Sequence, residues 1–229
     1  MIAVAAQPNR LKAALWEGRP QRGLFSVPPG ESGFSEAGLD CVICEAGEIF
    51  ARSGFAALQA DSCEIAVCAD SHARLVLQSL LRKGIQNIVL TGIAGPSDAR
   101  AAIMALHRRP DRRRLSAGDR WRGMREENET HADGAEICAL ALVDGAVDME
   151  NLVAIAQMQG LSGLILDPVP AISQERVCRI AHKIRSLGKA PGIVIPHDAE
   201  PEYYFACGFL FVARREGHSH RGVASLSRI

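Results

Sequence analysis

The chain of 229 residues carries 26 basic and 26 acidic side chains and so has no net charge. A balanced chain sets up no global field for nucleic acid or an anionic membrane, and no apolar run reaches the roughly 20 residues of a membrane span. With 48% hydrophobic residues it can bury a sizeable core, as one domain or as a pair.

Residues 1–7 are apolar, but they are too short for a secretory segment and Pro8 follows. A soluble, cytoplasmic protein is the expectation. Residues 9–16 read as an opening helix. Eight short apolar runs then recur, at 23–27, 40–44, 64–68, 87–91, 137–143, 163–166, 192–196 and 209–213. Near-continuous apolarity over four to seven residues is expected of parallel strands covered on both faces. Helical patterns separate the runs, at 50–59, 73–83, 97–107, 148–158 and 173–187. In 73–83, Leu75, Leu77, Leu80 and Leu81 fall roughly on one face and Gly84 reads as a stop; Gly160 and Gly188 read as C-caps. Strand and helix alternating throughout predict a parallel sheet. Eight repeats predict a single (β/α)8 TIM barrel over 1–229, with an open doubly wound sheet as the alternative.

Two stretches break the rhythm. Residues 107–125 hold eight arginines against two aspartates, and 126–136 is acidic. The charged insertion 107–136 reads as a solvated loop, or else as a phosphate or nucleic-acid patch with Trp121 as a stacking surface. The tail, 215–229, is polar; its His218 and His220 are too few to hold a metal. The seven cysteines are scattered among apolar neighbours, which suits reduced, buried thiols rather than a disulfide framework. Cys41 and Cys44 form a CxxC inside a strand. Residues three apart on a strand face opposite ways, so no metal or redox pair is expected there.

Working residues of such a barrel lie just past the carboxyl ends of its strands. That filter selects Glu45 and Glu48 after the second run, Asp70 and His72 after the third, and Thr91 after the fourth. Asp144 follows the fifth, Asp167 the sixth, His197 and Asp198 the seventh, and Arg214 with Arg215 the eighth. Convergent carboxylates suit a hard divalent cation such as Mg²⁺ or Mn²⁺, which can polarise a carbonyl and stabilise an enolate. Polar residues also end strands simply because loops are wet. The chain has no GxGxxG, P-loop, GxSxG or HExxH. Its lysines, Lys12, Lys83, Lys183 and Lys189, all fall in helices or at helix ends, which argues against a Schiff base.

The segment Arg10-Leu-Lys-Ala-Ala-Leu-Trp16 with Gly18-Arg-Pro20, then Gly23-Leu-Phe25, resembles the opening of the HpcH/HpaI family of metal-dependent 2-oxo-acid aldolases. Gly38-Leu-Asp40, Asn151-Leu-Val-Ala-Ile155, Gly160-Leu-Ser-Gly163 and Gly188-Lys-Ala-Pro-Gly-Ile193 continue the likeness in order, from about residue 10 to 214. The resemblance implies a carbon–carbon lyase or condensing enzyme on a 2-oxo acid of the pyruvate or oxaloacetate class, working through a metal-stabilised enolate. It also implies a homo-oligomer, while the balanced charge speaks against membrane or nucleic acid as a partner. Several positions depart from the family pattern. Glu48 stands where the family has its basic histidine; Glu48 or His72 would move the proton, with Glu45 positioning it. Cys68 replaces the arginine that holds the substrate, leaving Arg214 as the expected clamp. Asp144 replaces a metal-binding glutamate, and Pro170 a metal-binding aspartate whose oxygen Asp167 can supply. The arginine-rich loop replaces a glycine-rich segment. The chain stops soon after strand eight, where relatives continue into an exchanged helix, so a truncated barrel and a smaller oligomer are expected. Two further readings stand beside the enzyme: a catalytically silent relative that binds a small acid or a protein, and an RNA contact through residues 108–125.

Overall fold

The computed structural model describes residues 9–25, 38–51, 63–107, 136–168 and 172–215. The strands are β1 (Gln21–Phe25), β2 (Cys41–Glu45), β3 (Glu64–Asp70), β4 (Asn87–Thr91), β5 (Cys138–Asp144), β6 (Gly163–Asp167), β7 (Ala190–Ile195) and β8 (Phe211–Arg215). Alternating with them are α1 (Arg10–Trp16), α2 (Ala46–Ala51), α3 (Arg74–Arg82), α4 (Pro96–His107), α5 (Met149–Ala156), α6 (Gln174–Ser186) and α7 (Pro201–Ala206). Every pairing is parallel and β1 closes on β8, which makes the sheet a closed barrel in chain order. The (β/α)8 expectation holds, and the open sheet is eliminated.

Alternation along the strands divides the core in two. Ile43, Val89, Leu140, Ile165 and Phe211 fill the lumen. Val42, Val67, Ile88 and Leu164 face outward, onto Leu77, Leu152 and Ile180 of the helices. Cys41 belongs to the lumen and Cys44 to the outer layer, so the CxxC sulfurs diverge as the strand period requires. The Phe211 ring fits because each strand beside it presents a glycine at that level, Gly23 in β1 and Gly192 in β7. A Cβ on Gly23 would lie 2.9 Å from Phe211 Cζ, and one on Gly192 would lie 3.3 Å from Phe211 Cβ.

Helix α1 closes the floor of the barrel with Leu11 and Leu15, which pack into the lumen cluster. A buried polar network fixes it there. Asn9 Oδ1 accepts from the Lys12 amide at 2.8 Å, capping the helix. Asn9 Nδ2 donates to Asn87 Oδ1 at 2.8 Å and to the Glu136 carbonyl at 2.9 Å. Asn87 in turn donates to Glu64 Oε2 at 3.1 Å, and Arg10 pairs with Glu64 Oε1 at 2.6 Å. A cavity of about 310 Å³ opens beside this network, lined by Arg10, Arg19, Asp40 and Glu64 among others. It lies at the amino-terminal end of the strands, the end of a barrel that serves stability rather than chemistry.

Several local expectations are corrected. Leu77 and Leu80 are buried, but Leu75 is 77% exposed, since two positions along a helix is more than half a turn. Strand β8 starts two residues later than the apolar run suggests, so Arg214 and Arg215 are strand residues and not a loop or tail. The amphipathic pattern overlooks α7, which Pro201 opens at its first turn. Gly84 and Gly188 take positive φ of 80° and 72° directly after the C-caps of α3 and α6, where a side chain would be strained. Five cysteines are free and buried as expected, but Cys178 of α6 and Cys207 at the end of α7 form a disulfide. These helices stand side by side outside β7 and β8, with the two Cα atoms 4.9 Å apart. No helix among the described residues is long and apolar enough to cross a membrane.

Candidate active site at the barrel mouth

Strand parity decides which rim residues look into the barrel. Phe25, Cys68 and Ala213 belong to the lumen cluster, and Leu142 packs against it. The same alternation puts Glu45, Asp70, Asp144, Asp167 and Arg215 on the lumen side at the carboxyl end of their strands. Register aligns them around the rim: Glu45 pairs with Cys68, Asp70 with Thr91, Asp144 with Asp167, and Phe25 with Arg215.

Arg215 is the best-anchored group at the mouth. Its Nη2 donates to Asp167 Oδ1 and Oδ2, both at 3.0 Å. Its guanidinium carbon lies 5.5 Å from the centre of the Phe25 ring, within cation–π range. Both members of the ion pair are 40% exposed, so the pair stands at the wet end of the lumen. Arg214 faces the other way. Val212 packs in the outer core and Ala213 in the lumen, so Arg214 joins the outward set and Arg215 takes the place proposed for it at the mouth. Apolarity alone could not make this choice. Counting in twos from Phe211, once that residue is known to face inward, does.

Cys68 lies at the base of the mouth, only 7% exposed. Burial above all, then Glu45, pushes its thiol up to about 12, with Arg215 acting against them and Asp167 adding to the rise. At neutral pH it is an uncharged thiol, neither a nucleophile nor a substitute for a guanidinium. Of the charged strand ends, Glu45 is its neighbour in register across β2 and β3.

The acidic side chains are held by their own turns. Asp144 Oδ1 accepts from the Ala146 amide at 2.7 Å, and the Gly145 amide donates to the Asp167 carbonyl at 2.8 Å, tying β5 to β6. Asp70 Oδ1 accepts from the His72 amide at 2.8 Å, and His72 itself is exposed in the turn beyond β3. His197 and Asp198 are exposed after β7. Glu48 belongs to α2, and its side chain lies outside what is described, as do Pro170, the 108–135 stretch with Trp121, and His218 and His220.

Among the described residues no three His, Cys, Asp or Glu side chains converge as a metal cluster. Asp144 and Asp167 nevertheless offer carboxylates on adjacent strands, in register and on one face. That is the oxygen chemistry of a hard divalent cation, which can be held by one or two carboxylates with water completing its shell. The donor set fits such an ion provided Arg215 yields Asp167.

Known proteins resemble this chain in sequence and in fold. A 4-hydroxy-2-oxovalerate aldolase from Rhodococcus jostii is 28% identical over 230 aligned positions, covering 90% of this chain and 88% of that protein. A 4-hydroxy-2-oxo-heptane-1,7-dioate aldolase from Escherichia coli is 26% identical over 232 positions, covering 90% and 87%. The crystal structure of an HpcH/HpaI aldolase/citrate lyase family protein from Burkholderia cenocepacia superposes with a TM-score of 0.68 at 20% identity, covering 90% of this chain and 92% of that one. The chain is similar in sequence to 4-hydroxy-2-oxo-acid aldolases and in fold to the HpcH/HpaI aldolases. No family model matches it.

Proposed function

We propose that this chain makes or breaks the carbon–carbon bond next to the carbonyl of a 2-oxo acid of the pyruvate or oxaloacetate class, through an enolate. The observation that carries this reading is the gathering of Glu45, Asp144, Asp167 and Arg215 on the lumen side at the carboxyl end of one barrel, together with the aldolases that align along nine-tenths of the chain. Asp144 and Asp167 would hold a Mg²⁺ or Mn²⁺ ion, which when bound polarises the carbonyl beside the substrate carboxylate. The remaining roles belong to the chain's own side chains. Phe25, Leu142 and Cys68 form an apolar base for the mouth that excludes water from beneath a bound substrate. Glu45, at the lumen end of β2 beside Cys68, takes up and returns the proton at the reacting carbon. Glu48 in α2 and His72 beyond β3 stand as second carriers that relay the proton to solvent.

A screen of 4-hydroxy-2-oxo acids for pyruvate release, with oxaloacetate decarboxylation alongside, tests the reading. Turnover that requires Mg²⁺ or Mn²⁺ and is abolished by Asp144→Ala is the expected result. Rates equal to buffer for every substrate would reject it, leaving a barrel that binds a small acid without transforming it. That silent reading draws on one specific observation: Asp167 already has both oxygens engaged by a guanidinium.

A further inference from the structure

The Arg215–Asp167 pair has a form that suits exchange better than permanence. One nitrogen, Nη2, spans both carboxylate oxygens at 3.0 Å. The guanidinium carries five N–H donors in a rigid fork, so this contact engages only part of what Arg215 can offer an anion. Both partners are 40% exposed, and ion pairs at that level of solvation are weak enough to be broken by a better ligand. When the pair opens, Arg215 keeps its place. Its backbone is paired with Phe25 at the end of β1, and its guanidinium lies 5.5 Å from the centre of the Phe25 ring. Asp167, meanwhile, is one of the two adjacent carboxylates suited to a divalent cation.

We propose that Asp167 exchanges partners at the start of each cycle: Arg215 holds it at rest, a divalent cation at Asp144 and Asp167 displaces the guanidinium, and the released Arg215 clamps the carboxylate of the incoming 2-oxo acid. The inference rests on the proposed 2-oxo-acid activity and assigns its specificity-determining residue. It explains how a barrel with Cys68, a neutral thiol, at the β3 position can still hold an anionic substrate: the cation needed for the carboxylate comes from β8. It also makes cation and substrate mutually reinforcing. Each removes Arg215 from Asp167 or profits from its removal, and linkage requires that the two favour one another by the same factor.

The test uses the full chain and Mn²⁺, titrated by calorimetry and by the electron paramagnetic resonance of the free ion. Arg215→Met removes the competing guanidinium at similar length, and it is expected to bind Mn²⁺ at least ten-fold tighter than the unmodified protein. Arg214→Met removes the same charge from the neighbouring, outward-facing position and is expected to change Mn²⁺ affinity by less than three-fold. At saturating Mn²⁺, oxamate, an unreactive pyruvate analogue, is expected to bind Arg215→Met at least ten-fold more weakly. Arg215→Gln serves as a second uncharged variant should the methionine protein fail to fold. Mn²⁺ affinity in Arg215→Met equal to or weaker than in the parent would overturn the exchange, as would an equal gain in Arg214→Met or the absence of Mn²⁺ binding in every protein. Unchanged oxamate affinity would overturn the clamp. Tighter Mn²⁺ in Arg215→Met without turnover of any 2-oxo acid by the parent would instead remove the proposed function and leave the exchange standing.

Discussion

Replacing Asn9 by alanine tests whether the floor of the barrel is held by the polar network beneath α1. Asn9 is 3% exposed and makes three side-chain hydrogen bonds there. Alanine removes the helix cap, which costs about 1 kcal/mol. It also leaves a buried acceptor, Asn87 Oδ1, and a half-buried one, the Glu136 carbonyl, without this donor, at about 1 kcal/mol each. The sum is about 3 kcal/mol. In a chain of this size, each kcal/mol moves Tm by about 2–4 °C, so a fall of about 6–12 °C is expected in a reversible thermal scan. Asn9→Asp keeps the acceptor for the Lys12 amide but turns a donor into a second acceptor facing Asn87 and Glu136, and it should fall by a similar amount. A change below about 2 °C for Asn9→Ala would refute the network as the anchor of α1 and with it the reading of the 310 Å³ floor cavity as structural.

Other consequences are equally open to measurement. Gly23→Ala brings a methyl to 2.9 Å from Phe211 Cζ, an overpacking worth about 1–3 kcal/mol in urea denaturation; adding Phe211→Leu should relieve part of it, and strictly additive losses would contradict the contact. Cys68 and Cys138 both have thiols pushed from 9.0 up to about 12 by burial. The folded chain therefore holds protons that the unfolded chain releases first, and stability should fall as pH rises from about 9 to about 12. Cys138→Ala should lessen that slope, and an unaltered slope would count against the assignment. Thiol titration of the denatured, unreduced chain should find five reactive sulfurs because Cys178 and Cys207 are joined; a count of seven would refute the bond.

The barrel was legible because a parallel strand buried on both faces leaves an apolar run of its own length, and eight such runs separated by helical stretches have few other ways to fold. Strand β4, at Asn87–Thr91, coincides with its run. Strand β8 does not, because Phe209 and Leu210 are buried just ahead of it. Hydrophobicity reports burial and not where backbone pairing begins. Arg214 and Arg215 were both legible as candidates, but which of them faces the lumen depends on knowing that Phe211 points inward, and apolarity alone does not say so. The rim carboxylates were legible as a list, and Asp144 and Asp167 do share a face. Which of the two arginines joins them was not, nor was the Asn9 network, whose partners stand 78 and 127 positions away along the chain. Helix α7 was missed because Pro-Glu-Tyr-Tyr-Phe-Ala is too short to show a periodic stripe.

The claim at the centre is that this mouth forms an enolate from a 2-oxo acid. Exchange of the pyruvate methyl protons in D₂O, followed by NMR with Mg²⁺ or Mn²⁺ present, reads that step without knowledge of the second substrate. The account predicts exchange faster than buffer with the parent chain and a return to the buffer rate with Asp144→Asn. Equal exchange in both proteins, or none above buffer in either, would contradict it.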